Sequence, residues 1–138
     1  MRNKYKAKKA IAIVNGKERV FDSTLERDRY LQLRKWQKEG LIKDLCIQVV
    51  MHLSEPFDVV KNGKKSRISA RKYTADFSYT KNNMVYLEDV KGKATEAYIL
   101  RRTLLLEQKR LRKVSKNSDL KDFDVFLEVY KDKEIKYI

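Results

Sequence analysis

The sequence predicts an α+β protein in which a central mixed β-sheet is flanked by two helices. Three observations carry that expectation. Helical periodicity occurs in only two stretches, residues 23–39 and 95–114. Two Asn-Gly dipeptides, at 15–16 and 62–63, and a polar turn at 80–83 separate short β-rich runs, which reads as three hairpins. The order is hairpin, helix, several antiparallel strands, helix, strand, which suits layers built on one sheet.

The 138 residues suffice for one domain with a real core, and 42% apolar content argues against disorder of the whole chain. Residues 1–9 read as a basic arm and 10–138 as the domain. Lys and Arg number 33 against 19 Asp and Glu, a formal net charge of +14. Such self-repulsion is relieved by a polyanion, so nucleic acid is the leading partner, ahead of an anionic membrane surface. No apolar run approaches the roughly 20 residues that cross a bilayer, and no signal peptide is visible. A single Cys46 excludes an intramolecular disulfide framework and a Cys-based zinc site, and a lone His52 excludes a multi-His metal site. These features suit a reducing cytoplasm, and Cys46 and His52 read as structural.

Along the chain, Ala10–Val14 and Lys17–Phe21 flank Asn15-Gly16 as a hairpin. Ser23 reads as the N-cap of the first helix, with Glu26 at the capping-box position and Gly40 as the stop. Cys46–Met51 is β-rich, and Pro56 ends that apolar stretch. Phe57–Val60 and Arg67–Ala70 flank Asn62-Gly63. Residues 67–79 and 84–91 form the third hairpin. In the second helix, Ala97, Leu100, Leu104, Leu111 and Val114 define an expected core-facing stripe, with most of the basic residues opposite. Residues 123–130 and 135–138 read as strands.

Two segments carry chemistry. On a helical wheel, Glu26 falls in the apolar arc of Leu25, Tyr30, Leu33 and Trp36. An inward acid needs a partner or a cation. Its ordinary alternatives are capping the helix start or pairing with Arg29 or Tyr30. In the third hairpin, strand alternation puts Asp89 and Lys91 on one face, and the turn brings Asp76 beside them. Glu88 is the competitor for Asp89; alternation separates it from Lys91, whereas a bulge would reverse the choice. Two or three carboxylates with one amine suit phosphodiester hydrolysis. Asp76, Asp89 and the Val90 carbonyl would hold a hard cation such as Mg²⁺, Lys91 would sit beside the attacking water, and Glu26 would reach a second metal directly or through water.

The segments Phe21-Asp-Ser-x-x-Glu26, Gly40-x-Ile42-x-x-Leu45-x-x-Gln48, Tyr73-x-Ala-Asp76-Phe-x-Tyr79 and Leu87-Glu-Asp-Val-Lys-Gly92 resemble a family of small phage and prophage proteins. That family belongs to the PD-(D/E)xK nuclease superfamily, and the pattern is also similar to the catalytic domain of the transposition endonuclease TnsA. The likeness runs over about residues 3 to 130. It implies a restriction-endonuclease-like fold and a magnesium-dependent DNA endonuclease, with Mn²⁺ as a substitute. It implies the same roles for Glu26, Asp76, Asp89 and Lys91. Ala75 replaces the superfamily's Pro before the first Asp. Gln48 matches a recurrent position and reads as a buried amide that satisfies strand ends.

A chain this short has no separate recognition domain, so shape-selective cutting of branched DNA, as by Holliday junction resolvases, is the expected activity in phage or prophage DNA metabolism. Symmetric cutting of two strands would need a homodimer, for which the hairpin at 10–21 is a candidate surface. Arg2, Lys4, Lys6, Lys8 and Lys9 of the arm and Arg101, Arg102 and Lys109 of the second helix are the expected phosphate contacts. Alternative readings are a non-catalytic nucleic-acid-binding module and the nuclease subunit of a larger complex.

Overall fold

The computed structural model describes residues 10–138. The expected phosphate contacts Arg2, Lys4, Lys6, Lys8 and Lys9 therefore lie outside the described residues.

The chain forms hairpin β1 (Ala10–Val14) and β2 (Lys17–Phe21), helix α1 (Thr24–Lys38), then strands β3 (Lys43–His52), β4 (Phe57–Lys61), β5 (Lys64–Ile68), β6 (Lys72–Lys81) and β7 (Met84–Val90). Helix α2 (Glu96–Arg110) and strands β8 (Val125–Val129) and β9 (Glu134–Tyr137) complete it. Five strands make a mixed sheet in the order β3-β6-β7-β8-β9, with β7 and β8 parallel and the other neighbours antiparallel. The parallel pair is joined through α2, as a parallel connection requires a crossover. The α+β expectation holds at this level.

Two apolar clusters sandwich the sheet. One joins α1 and β1–β2 to Phe77, Tyr79, Tyr86, Val125 and Leu127. The other joins Tyr98 and Leu105 of α2 to Val49, Met51, Tyr73, Leu87 and Phe126. Strand alternation sorts β7 and β8 cleanly between them. Strands β3 and β6 behave differently. Ala75 packs in the second cluster and Phe77 in the first, although only one residue separates them. Their partners Val49 and Ile47 swap sides in the same way. The residues in between are Asp76 and Gln48, and Gln48 has φ +53°. A left-handed backbone on a non-glycine residue inside a strand is the local irregularity that turns the strand over. Gln48 is half-buried at this crossing point, so it is not the buried amide expected from the sequence.

Two further corrections concern α2. It ends at Arg110, not near Val114, because Leu111 caps it and Arg112 adopts φ +56°. Its inward face is Tyr98, Arg102 and Leu105, spaced at i, i+4 and i+7. Within the expected stripe Ala97, Leu100 (61% exposed), Leu104 and Leu111 face outward, while Val114, past the helix end, packs against the second cluster. The cause lies on β8. Glu128 is fully buried there and takes hydrogen bonds from the Tyr98 hydroxyl (2.5 Å), Arg102 Nη1 (2.8 Å) and the Tyr137 hydroxyl (2.8 Å). Burial alone would raise the Glu128 carboxyl, but these donors outweigh it and hold the pKa below the ordinary range. An uncompensated acid here would cost more than the exposure of a few aliphatic side chains, so α2 rolls its polar handles inward.

The strand expected from residue 67 begins at Lys72; Arg67 and Ile68 belong instead to β5, which pairs only with β4. Among the described residues no helix is long and apolar enough to cross a membrane.

Candidate active site

Strands β6 and β7 pair from Lys81↔Met84 to Phe77↔Glu88, where the ladder stops. Beyond that point side chains take over the backbone's role. Asp76 Oδ2 accepts from the Val90 N–H at 2.8 Å, and Asp89 Oδ1 accepts from the Asp76 N–H at 3.3 Å. The parting of the strands thus opens the site, and two carboxylates fill the gap. A residue's N–H and C=O leave a strand on the same edge, so the Val90 carbonyl also turns toward Asp76.

Strand alternation separates the two adjacent acids of β7. Glu88 faces α1, fully buried, and is held by Arg29 Nε and Nη2 at 2.8 Å each and by the Tyr79 hydroxyl at 2.7 Å. Burial would lower the Arg29 pKa, but its hydrogen bonds to Glu88 raise it above the ordinary value. Asp89 faces α2. Its Oδ2 accepts from the Tyr73 hydroxyl and lies 3.3 Å from Lys91 Nζ. Lys91 in turn sits 4.2 Å above the Tyr98 ring. Asp89 is therefore the acid beside the amine, and Glu88 is a structural anchor.

Glu26 arrives from α1. Ser23 caps the helix, accepting from the Glu26 N–H at 3.0 Å. The Glu26 side chain does not complete a capping box or pair with Arg29; it is buried and meets the Asp76 carboxyl. Burial, reinforced by Asp22 and Asp89, raises its pKa despite that contact with Asp76. Asp76 is pushed up to about 9, first by burial and then by the Asp89 charge, against the lowering effect of the Val90 N–H. Glu26, Asp76, Asp89 and Lys91 thus meet where both helices approach the split in the sheet.

Among the described residues no three His, Cys, Asp or Glu side chains are grouped so that they could hold a metal ion. Asp76 and Asp89 are nonetheless neighbours, joined by the Asp76 N–H, and the charges of Asp89 and Glu26 both add to the upward shift of Asp76. In chemistry the donor set is of the kind a magnesium ion takes. Its oxygens are hard, and a carboxylate oxygen that accepts one N–H keeps a second lone pair. Among the described residues, Lys91 is the ammonium paired with these acids.

This arrangement fixes the sign of a pH effect. A folded-state pKa of about 9 against an ordinary 3.8 means that the folded protein holds a proton the unfolded chain has lost. That contribution to stability is complete below pH ~3.8 and is lost as pH rises through ~9. Asp76→Asn, which keeps the acceptor for Val90, is expected to stabilise the metal-free protein at pH 8 by about 1–3 kcal/mol. Thermal melts from pH 5 to 9 should show a flatter stability profile than wild type. A second expected outcome concerns Tyr73, whose hydroxyl aims Asp89. Tyr73→Phe should free the Asp89 carboxylate oxygen and loosen the Asp89–Lys91 pair, read as a change in the Asp89 carboxyl and Lys91 ammonium NMR signals.

Of the helix residues expected to contact phosphate, only Arg101 lines the cleft at the site. Arg102 is committed to Glu128 at 2.8 Å. Lys109 lies 3.4 Å from Asp122 and lines a separate depression with Arg112 and Lys121. Sequence reasoning missed Arg29, Tyr73 and Tyr98 as the groups that hold the acids and the amine in place.

A family model matches residues 2–132, nearly the whole chain. The chain belongs to DUF1064, described as a protein of unknown function. The crystal structure of SSO0001 is similar at 16% identity and a TM-score of 0.34, over 80% of this chain and 48% of that one. This chain therefore spans about half the length of that protein. No curated protein matches the sequence.

Proposed function

We propose that this DUF1064 protein is a magnesium-dependent endodeoxyribonuclease with a restriction-endonuclease-like core, acting on branched DNA in phage or prophage DNA metabolism. The observations that carry the reading are Asp89 accepting from the Asp76 N–H and lying 3.3 Å from Lys91 Nζ, with the buried Glu26 carboxyl within electrostatic reach of both acids, in a chain of net charge +14. Buried acids elsewhere in the sheet are matched by cations, as Glu88 is by Arg29 and Glu128 by Arg102. Among the described residues the Glu26–Asp76 pair has no such partner in contact, which is the condition expected of a cation site.

Asp76, Asp89 and the Val90 carbonyl would hold the metal, and Glu26 would complete its surroundings. When bound, the ion would polarise a phosphoryl oxygen and acidify a water. The chain's own residues do the rest. Lys91 stands where it can neutralise charge that grows on the phosphorus oxygens as water attacks and the P–O bond to the leaving sugar oxygen breaks. Asp89 holds the ammonium at 3.3 Å, and the Tyr98 ring supports it from below. Tyr73 fixes Asp89 in turn.

The test is incubation with duplex, flap, Y-form and four-way-junction DNA in Mg²⁺ or Mn²⁺, with EDTA as control. Cleavage that EDTA stops, strongest on a branched substrate, is expected. Binding to every substrate without cutting would instead favour the non-catalytic module, and cutting only with added host or phage proteins would favour the subunit of a larger complex.

A further inference from the structure

A cleft of about 900 Å³ opens beside Asp89. Asp89 and Lys91 stand at one end. The walls are the root of the β4–β5 hairpin and the first turns of α2. We propose that this cleft is a track for the DNA backbone, with Arg67, Arg71 and Lys72 on the hairpin side and Arg101 on the helix side binding the phosphates that flank the scissile one. The proposal rests on the nuclease reading and adds to it the part of the chain that grips the substrate.

Charge points to this role first. Five cations line the cleft, and Asp89 is the one acid among its described lining residues. Cations placed together repel one another unless an anion lies between them. The fold does not supply that anion. Among the described residues no ion pair engages Arg71, Lys72 or Arg101. Arg67 pairs with Asp58 at 3.1 Å, but both are exposed, so water and salt screen that contact and a phosphate can replace it.

The way the cleft is built points in the same direction. Among the described residues the β4–β5 hairpin joins no larger sheet, so it is not needed to complete one. Its root is nevertheless pinned. Leu53 N–H donates to the Arg71 carbonyl at 2.7 Å, and Arg71 N–H donates to Ser54 Oγ at 3.0 Å. That fixes the backbone of Arg71 and Lys72 against the sheet edge while their side chains stay exposed. Fixed backbone with free cationic ends is what positions a strand without reading its bases. Beyond the root the hairpin carries Lys61, Lys64 and Lys65, all exposed, with Lys65 3.4 Å from Asp58. Cations contributed by both a hairpin and a helix suit a polymer of phosphates rather than one small anion.

The experiment is fluorescence anisotropy of a labelled four-way junction in EDTA, across a KCl series, with wild type, the double variant Arg71→Gln/Lys72→Gln, and the control Lys35→Gln/Lys38→Gln. The control removes the same charge from exposed positions of α1 outside the cleft. Loss of two phosphate contacts should reduce the slope of log Kd against log salt by about 1.8 and weaken binding roughly 10-fold or more. The control should behave as wild type. In Mg²⁺ the cleft variant should raise KM with kcat nearly unchanged. The track is overturned if the cleft variant matches the control in slope and Kd. A wild type that cuts while the cleft variant binds normally refutes the track and leaves the nuclease. A wild type that never cuts but loses its salt slope in the cleft variant refutes the nuclease and leaves a DNA-binding groove.

Discussion

Asp89→Asn is expected to reduce Mg²⁺-dependent DNA cleavage on the order of 10³-fold, with binding in EDTA nearly unchanged. The substitution keeps the shape of the side chain and one of the two oxygens that accept from the Tyr73 hydroxyl and the Asp76 N–H. It removes the negative charge that a cation needs and that holds Lys91 at 3.3 Å. The informative contrast is its neighbour. Glu88→Gln should cost stability, because Arg29 then faces a neutral partner, but its kcat at low temperature should stay within a few-fold of wild type. Measured single-turnover rates for the two variants therefore decide which acid of β7 belongs to the chemistry. A reversed pattern would mean that the strand's alternation has been misassigned.

Arg29→Ala is expected to be the most destabilising single change outside the apolar core, by about 3–5 kcal/mol. Arg29 is buried on α1 and contacts both carboxylate oxygens of fully buried Glu88. Its guanidinium also lies 5.2 Å from the Trp36 ring. Truncation leaves a charge in the sheet's interior with only the Tyr79 hydroxyl for company. Urea denaturation followed by circular dichroism measures the loss. The double variant Arg29→Met/Glu88→Leu should recover most of it, since apolar groups of similar size replace a buried pair at little cost.

Local chemistry made much of the fold legible. Asn15 and Gly16 adopt positive φ, as a two-residue turn between β1 and β2 requires, and that hairpin has its expected bounds. Ser23 and Gly40 bracket α1 because cap and stop are decided within a few residues. The inward Glu26 and the shared face of Asp89 and Lys91 follow from periodicity alone. What stayed hidden depends on distant partners. The face that α2 turns inward is chosen by Glu128, 26 positions from Arg102. Burial of Arg29 makes sense only with Glu88, 59 positions away. The crossing of β3 and β6 between the two cores turns on Gln48, a residue type that does not announce a positive φ. The basic cleft is assembled from a hairpin root and a helix, so counting charges along one helix did not show that Arg101 lines it while Arg102 pairs with Glu128 and Lys109 with Asp122.

The central claim is that Glu26, Asp76 and Asp89 gather around a cation beside Lys91. Diffraction from crystals soaked in Mn²⁺, recorded to locate anomalous scattering, tests it most directly. The expected result is a peak about 2.0–2.3 Å from oxygens of both Asp76 and Asp89, with Glu26 in the same cluster, and no peak in crystals of Asp76→Asn. No peak at that cluster at saturating Mn²⁺ would contradict it.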